Sequence, residues 1–125
     1  MLVDSHVLID ILEDRGRIGR RTRALLQEEM VLVSAATLWE LTIKVLAGRL
    51  HIRGHLAAGV EEAGFRQLPV LPEHALRIGE VTELQHSDPF DRLLLAQAKV
   101  EGLDFYTWDR AILEAGLPFV RDARA

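Results

Sequence analysis

Residues 89–107 read PFDRLLLAQAKVEGLDFYT. Two elements follow from this stretch. Pro89–Glu101 carries Phe90, Leu93, Leu94, Leu95, Ala96, Ala98 and Val100 and leaves only a narrow polar stripe, which predicts a helix buried on most sides. Leu103–Thr107 follows at once as an apolar strand. Strands alternating with helical patterns mark an α/β fold with a parallel sheet, and the rest of the chain alternates in the same way. Upstream, Met1–Val3 reads as a strand running into Asp4, and His6–Glu13 as a helix stopped near Gly16. Arg17–Glu29 is a second helix with Ile18, Leu25 and Leu26 on one side and Arg17, Arg20 and Arg21 on the other. Met30–Val33 is the next strand, and Ala35–Leu46 a helix ending before Gly48. Residues 49–85 read as a smaller helical section, with helices His55–Phe65 and Glu73–Leu84 around a strand Leu68–Leu71. Arg110–Ala115 is a short helix stopped by Gly116, and Pro118–Val120 the last strand. Pro69 and Pro118 cannot donate to a ladder, so their strands belong at sheet edges. The strand order that meets this is 3-2-1-4-5, with right-handed crossovers and the strand of Asp4 in the middle.

The 125 residues suit one domain, 1–125, and no repeat, low-complexity tract or linker divides them. Apolar residues at 49% and charged residues at 27% match an ordinary globular chain, able to bury about two-thirds of its unfolded surface. The lack of cysteine excludes disulfides, thiolate zinc sites, iron–sulfur clusters and a cysteine nucleophile, and fits a cytoplasmic location. No apolar run approaches a membrane span, and no basic segment followed by an apolar stretch marks a secretory signal. A net charge of −4 argues against nucleic-acid binding by bulk charge, though not against an enzyme acting on nucleic acid.

Four acids recur in one kind of place. Asp4 ends the first strand, and Glu40 lies one to two turns into the helix after the second. Asp91 sits in the first turn of the helix leading to the fourth strand, and Asp109 two residues beyond that strand. Ligands of open parallel sheets sit outside the C-terminal strand ends, which is where Asp4, Glu40 and Asp109 leave the sheet. Asp91 joins them if its helix starts there and runs back along the sheet. Each acid also has a purely structural reading. Asp4 and Asp109 can cap helices, and Asp91 suits the first turn behind Asp88-Pro89. Glu40 can complete a capping box with Thr37 or pair with Lys44. Convergence of four is harder to explain that way, because neighbouring carboxylates repel and need protons or a cation. Oxygen donors without cysteine or a histidine pair suit Mg²⁺ or Mn²⁺, and such an ion on carboxylates suits phosphodiester hydrolysis.

At this point the chain resembles the PIN-domain family, and within it the ribonuclease toxins of the VapC type. The resemblance rests on Val3-Asp4-Ser5-His6, on Val33-Ser34-Ala35-Ala36-Thr37-Leu38-Trp39-Glu40 with Lys44, on Asp88 through Ala98, and on Thr107-Trp108-Asp109. It implies a three-layer α/β/α fold with about five parallel strands and a small helical insertion. It implies an Mg²⁺- or Mn²⁺-dependent endoribonuclease with Asp4, Glu40, Asp91 and Asp109 as catalytic acids. Asp4, Asp91 and Asp109 would be the metal ligands, with Ser5 and Thr107 orienting ligands or waters. Ser5 stands where the family more often has Thr. The resemblance further implies a cognate antitoxin, often DNA-binding, an RNA substrate and a homodimer.

Arg15, Arg17, Arg20, Arg21 and Arg23 form the only basic concentration. Arg17, Arg20 and Arg21, with Arg92 beside Asp91, are candidates for contact with RNA backbone or an acidic partner segment, or else a solvated face. Asp88 reads as a helix cap and Asp10 as solvent-facing. His6 reads as packed or exposed rather than catalytic, and His86 as a loop or capping residue with phosphate contact as its functional alternative. Trp39 reads as core, and Trp108 as buried or as a stacking platform. A receiver domain would need an acidic pair after the first strand, and a haloacid-dehalogenase-type phosphatase an Asp in place of His6; both fit poorly. Two rivals stay open: a catalytically silent antitoxin-binding or DNA-regulatory module, and a structure-specific DNA nuclease of the same fold.

Overall fold

The computed structural model describes residues 1–82 and 88–125. Its five strands are β1 (Leu2–Val3), β2 (Leu32–Ser34), β3 (Arg66–Leu68), β4 (Phe105–Thr107) and β5 (Val120–Asp122). All pair in parallel, in the order β3-β2-β1-β4-β5, as expected. The helices are α1 (Ser5–Glu13), α2 (Arg20–Glu28), α3 (Ala35–Leu46), α4 (Leu56–Glu62), α5 (Pro72–Leu76), α6 (Pro89–Glu101) and α7 (Arg110–Glu114). A 3-10 turn, Arg77–Glu80, follows α5.

Alternation along the strands splits the core into two layers. Val3, Val33 and Tyr106 face Val7 and Leu8 of α1, Leu41 of α3 and Val60 of α4. Leu2 and Phe105 face the other way, onto Leu94, Leu95 and Ala98 of α6 and Ile112 of α7. The run Leu94–Ala98 is buried at every position, as the apolar character of this helix requires.

Several boundaries move, each for a local reason. The second helix starts at Arg20 rather than Arg17, because Gly19 is extended and Ile18 is drawn into the core. Strand β3 ends at Leu68, before Pro69, because the Pro69 carbonyl accepts from Gln97 of α6 instead of joining the ladder. Strand β5 begins after Pro118, since a turn bond from the Val120 N–H to the Leu117 carbonyl delays entry. Both strands are edges, but the prolines precede or follow them rather than sitting inside. The helix expected over Glu73–Leu84 gives way to the 3-10 turn after Leu76, and its end lies outside the described residues. His86 also lies outside them.

Candidate active site

Asp4 leaves β1 and caps α1, and it is 1% exposed. One carboxylate oxygen accepts the Ser5 N–H at 2.8 Å, and the other accepts the Thr107 hydroxyl at 2.8 Å. Thr107 ends β4, the neighbouring strand, and its Oγ1 in turn accepts the Asp109 N–H at 3.0 Å. Asp109 caps α7 by accepting the Ile112 N–H at 3.0 Å. One hydroxyl therefore ties two of the acids to adjacent strand ends. Thr107 thus holds the Asp4 carboxylate in place.

Asp91 occupies the first turn of α6, behind the cap formed by Asp88 on the Phe90 N–H at 2.7 Å. Its pKa is pushed up to about 7, first by burial and then by the charges of Asp4, Asp88, Asp109 and Glu40. The four acids singled out by sequence thus act on one another, with Asp88 added. Glu40 enters from α3. Its Oε2 meets Lys44 at 3.4 Å, and its Oε1 is buried without a partner among the described residues. One turn earlier on the same helix, the Thr37 hydroxyl is likewise buried with no partner among them. The capping box with Thr37 is therefore absent. Ser34 caps α3, through its Oγ on the Ala36 N–H at 3.0 Å, and Glu40 takes the alternative pairing with Lys44.

Among the described residues, no group of three or more His, Asp or Glu side chains is arranged so that it could hold a metal ion. The donor chemistry nonetheless fits a hard divalent cation. The donors are carboxylate oxygens, one of them buried and unpaired, and Asp91 holds on to a proton that a cation would displace. Asp4, Asp88, Asp109 and Glu40 lie near enough to Asp91 for their charges to raise its pKa.

His6, read as packed or exposed from sequence, lies in this pocket. Its Nε2 accepts the Trp108 N–H at 3.1 Å and lies 3.7 Å from Asp4 Oδ2. Burial lowers its pKa against the opposing pull of Asp4, Asp109 and Glu40. Its ring packs on Trp108 at 4.7 Å between centroids, and the Arg17 guanidinium lies over the Trp108 ring at 5.1 Å. Trp108 is half-buried, so the burial expected of it holds in part.

Two expectations need correction. Asp10 is not solvent-facing: it is 2% exposed, and both carboxylate oxygens accept the Arg17 N–H at 3.2 Å. It pins the loop that carries Arg15 and Arg17. Its place one turn from buried Val7, on the apolar side of α1, was a signal that it faces inward. Trp39 is not core but 62% exposed, meeting Phe90 edge-on at 5.2 Å. The candidate arginines lie in different places. Arg17 reaches the site, whereas Arg21 lines a separate hollow of about 550 Å³ with Tyr106 and Arg121. Arg20 is exposed at the start of α2, and Arg92 directs Nη2 to the Ile78 carbonyl at 3.4 Å. Ser5 is buried; its backbone serves Asp4, while its hydroxyl has no protein partner among the described residues.

The chain finds no match among curated protein sequences. Among solved structures it is similar to a toxin-antitoxin complex from Klebsiella pneumoniae, with a TM-score of 0.67 and 20% identity over 98% of this chain and 96% of the other. It is also similar to VapBC2 from Rickettsia felis bound to a DNA fragment from their promoter, with a TM-score of 0.65 and 13% identity over 97% of this chain and 96% of the other. These likenesses establish the fold. The PIN domain family profile matches residues 1–116, nearly the whole of the chain, and with the acids gathered at the ends of β1 and β4 this leads to one conclusion: the chain belongs to the PIN domain family.

Proposed function

We propose that this chain is a nuclease, the Mg²⁺- or Mn²⁺-dependent endoribonuclease toxin of a toxin–antitoxin pair. The observation that carries the reading is Asp91, held near neutrality by burial and by the charges of Asp4, Asp88, Asp109 and Glu40. Clustered, mutually destabilised carboxylates at the ligand-binding edge of a parallel sheet mark a functional site rather than a set of helix caps. Structural similarity to toxin–antitoxin assemblies supports the choice of toxin over other nucleases.

Asp4, Asp91 and Asp109 would hold the cation, with Glu40 completing the acidic rim. When bound, the ion lowers the pKa of water and offsets charge that grows on a phosphoryl group. The protein's own groups do the rest. Thr107 and the Ser5 N–H fix the rotamer of Asp4, so its free lone pairs face the rim. Trp108, backed by His6 and Arg17, offers an aromatic edge for an unstacked base. A cognate antitoxin, itself DNA-binding, would cover the cleft, and the chain would work in the cytoplasm as a homodimer.

Incubation with total RNA, with and without EDTA, followed by mapping of the new ends, tests this reading. The expected result is cation-dependent cleavage leaving 5′-phosphate and 3′-hydroxyl ends, lost to background in folded Asp4→Asn and Asp91→Asn proteins. Cleavage of DNA but not RNA would move the assignment to a DNA nuclease. Cleavage of neither, with antitoxin binding intact, would make the chain a silent interaction module.

A further inference from the structure

Beside the acids, between α1 and α3, lies a hollow of about 180 Å³ with an unusual lining. Its polar residues are Ser5, His6, Arg15 and Lys44, and Ile9 and Leu41 form apolar wall. Each of the four presents a donor. His6 Nε2 already accepts the Trp108 N–H, so the proton of the neutral ring sits on Nδ1. The Ser5 hydroxyl has no protein partner among the described residues. The Lys44 ammonium spends one of its three hydrogens on Glu40 at 3.4 Å. The Arg15 side chain makes no hydrogen bond or ion pair among the described residues, and its loop is pinned through its own N–H to the Asp10 carbonyl at 3.1 Å. Among the described residues, no carboxylate lines the hollow.

We propose that this hollow is a phosphate subsite, which holds the phosphodiester next to the one presented to the carboxylates. The proposal rests on the nuclease reading and adds to it where the RNA backbone runs. A lining in which each polar side chain offers a donor, and two of them are cationic, selects an anion, and a tetrahedral phosphate can take bonds from several directions at once. Three residues set its position. Ser5 and His6 directly follow Asp4, and Lys44 sits one turn beyond Glu40, with His6 Nε2 3.7 Å from Asp4 and the Lys44 ammonium 3.4 Å from Glu40, so an anion held here lies beside the acidic rim. The cations also offset the repulsion a polyanion meets on approaching five carboxylates. Arg17 over Trp108 continues the same side of the rim, giving a strand a charged grip and then an aromatic one.

The test is a heteronuclear NMR titration of the full chain in EDTA, with inorganic phosphate, uridine 5′-monophosphate and acetate as probes. Saturable shifts centred on Ser5, His6, Arg15 and Lys44 are expected for both phosphates. Binding should weaken about tenfold in Lys44→Gln and in Arg15→Gln, and stay unchanged in Arg53→Gln, which lies in a different hollow. Thermal unfolding of each variant confirms the fold. Shifts that do not saturate, that fall elsewhere, or that acetate reproduces with equal affinity would overturn the subsite; the last would point to an acidic side chain of a partner protein. Because EDTA removes the cation, phosphate binding in a chain that cleaves nothing would sink the nuclease reading and leave the subsite standing. Cleavage without phosphate binding would do the reverse.

Discussion

Two buried polar groups stand at neighbouring strand ends, and they differ in one respect. At the end of β2, Ser34 donates to Gln97 of α6, whose amide nitrogen donates to the Pro69 carbonyl at 3.2 Å. His74, fully buried, accepts the Leu71 N–H at 3.0 Å on Nδ1 and meets Glu101 at 2.8 Å through Nε2. Each donor there has an acceptor. Around the ends of β1 and β4, by contrast, Thr107 and Asp4 are satisfied, but on α3 Glu40 Oε1 and Thr37 Oγ1 have no partner among the described residues, and on α6 Asp91 is forced toward neutrality. Both groups bridge the sheet to α6. The satisfied one locks α6 against β2 and α5; the frustrated one leaves carboxylates that raise one another's cost of ionisation. Burial alone does not separate structure from function here, whereas incomplete pairing does.

The largest effect expected on stability comes from breaking the satisfied group. Gln97→Ala strands the Pro69 carbonyl and one bond of Ser34 in the core, and should lower stability by about 2–4 kcal/mol in denaturant titration. A loss within the scatter of surface substitutions would erase the distinction drawn above.

A smaller effect, of opposite sign, should come from the frustrated group. In the folded chain Asp91 keeps its proton to about 7, whereas in the unfolded chain it loses it near the ordinary carboxylate value. The folded state is therefore favoured fully below the ordinary value, and this advantage is lost as pH rises through about 7. Asp91→Asn, which stays neutral, should match the parent in acid and exceed it above neutrality, by about 1–2 kcal/mol once partial solvation is allowed for. Chemical denaturation in EDTA at acidic and alkaline pH measures the crossing. Equal stability at both would mean the acids do not burden one another.

Much of this was legible in the chain. The apolar run Leu93–Ala98, the short apolar strands and the two prolines were enough for the sheet order, because buried parallel strands and edge exclusion leave few arrangements. Asp88-Pro89 was readable as a cap because its bond to the Phe90 N–H is local. Asp10 was not, because its partner is a loop N–H seven residues away. Trp39 misled because a large aromatic beside an acid looks like core, whereas the face of α3 that bears it lies open at the rim. His6 is packed, as expected, but its partner was not legible: the Trp108 N–H lies far along the chain, and only the pairing of β1 with β4 brings it there.

The central claim is that these carboxylates form one cation site which carries a proton until the ion arrives. Calorimetric titration with Mn²⁺ in buffers of different ionisation enthalpy tests it most directly. The account predicts saturable uptake with proton release, tighter at about pH 8 than at about pH 6, and strongly weakened in Asp91→Asn and Asp4→Asn. Absence of uptake in the parent chain, or uptake indifferent to both substitutions, would contradict it.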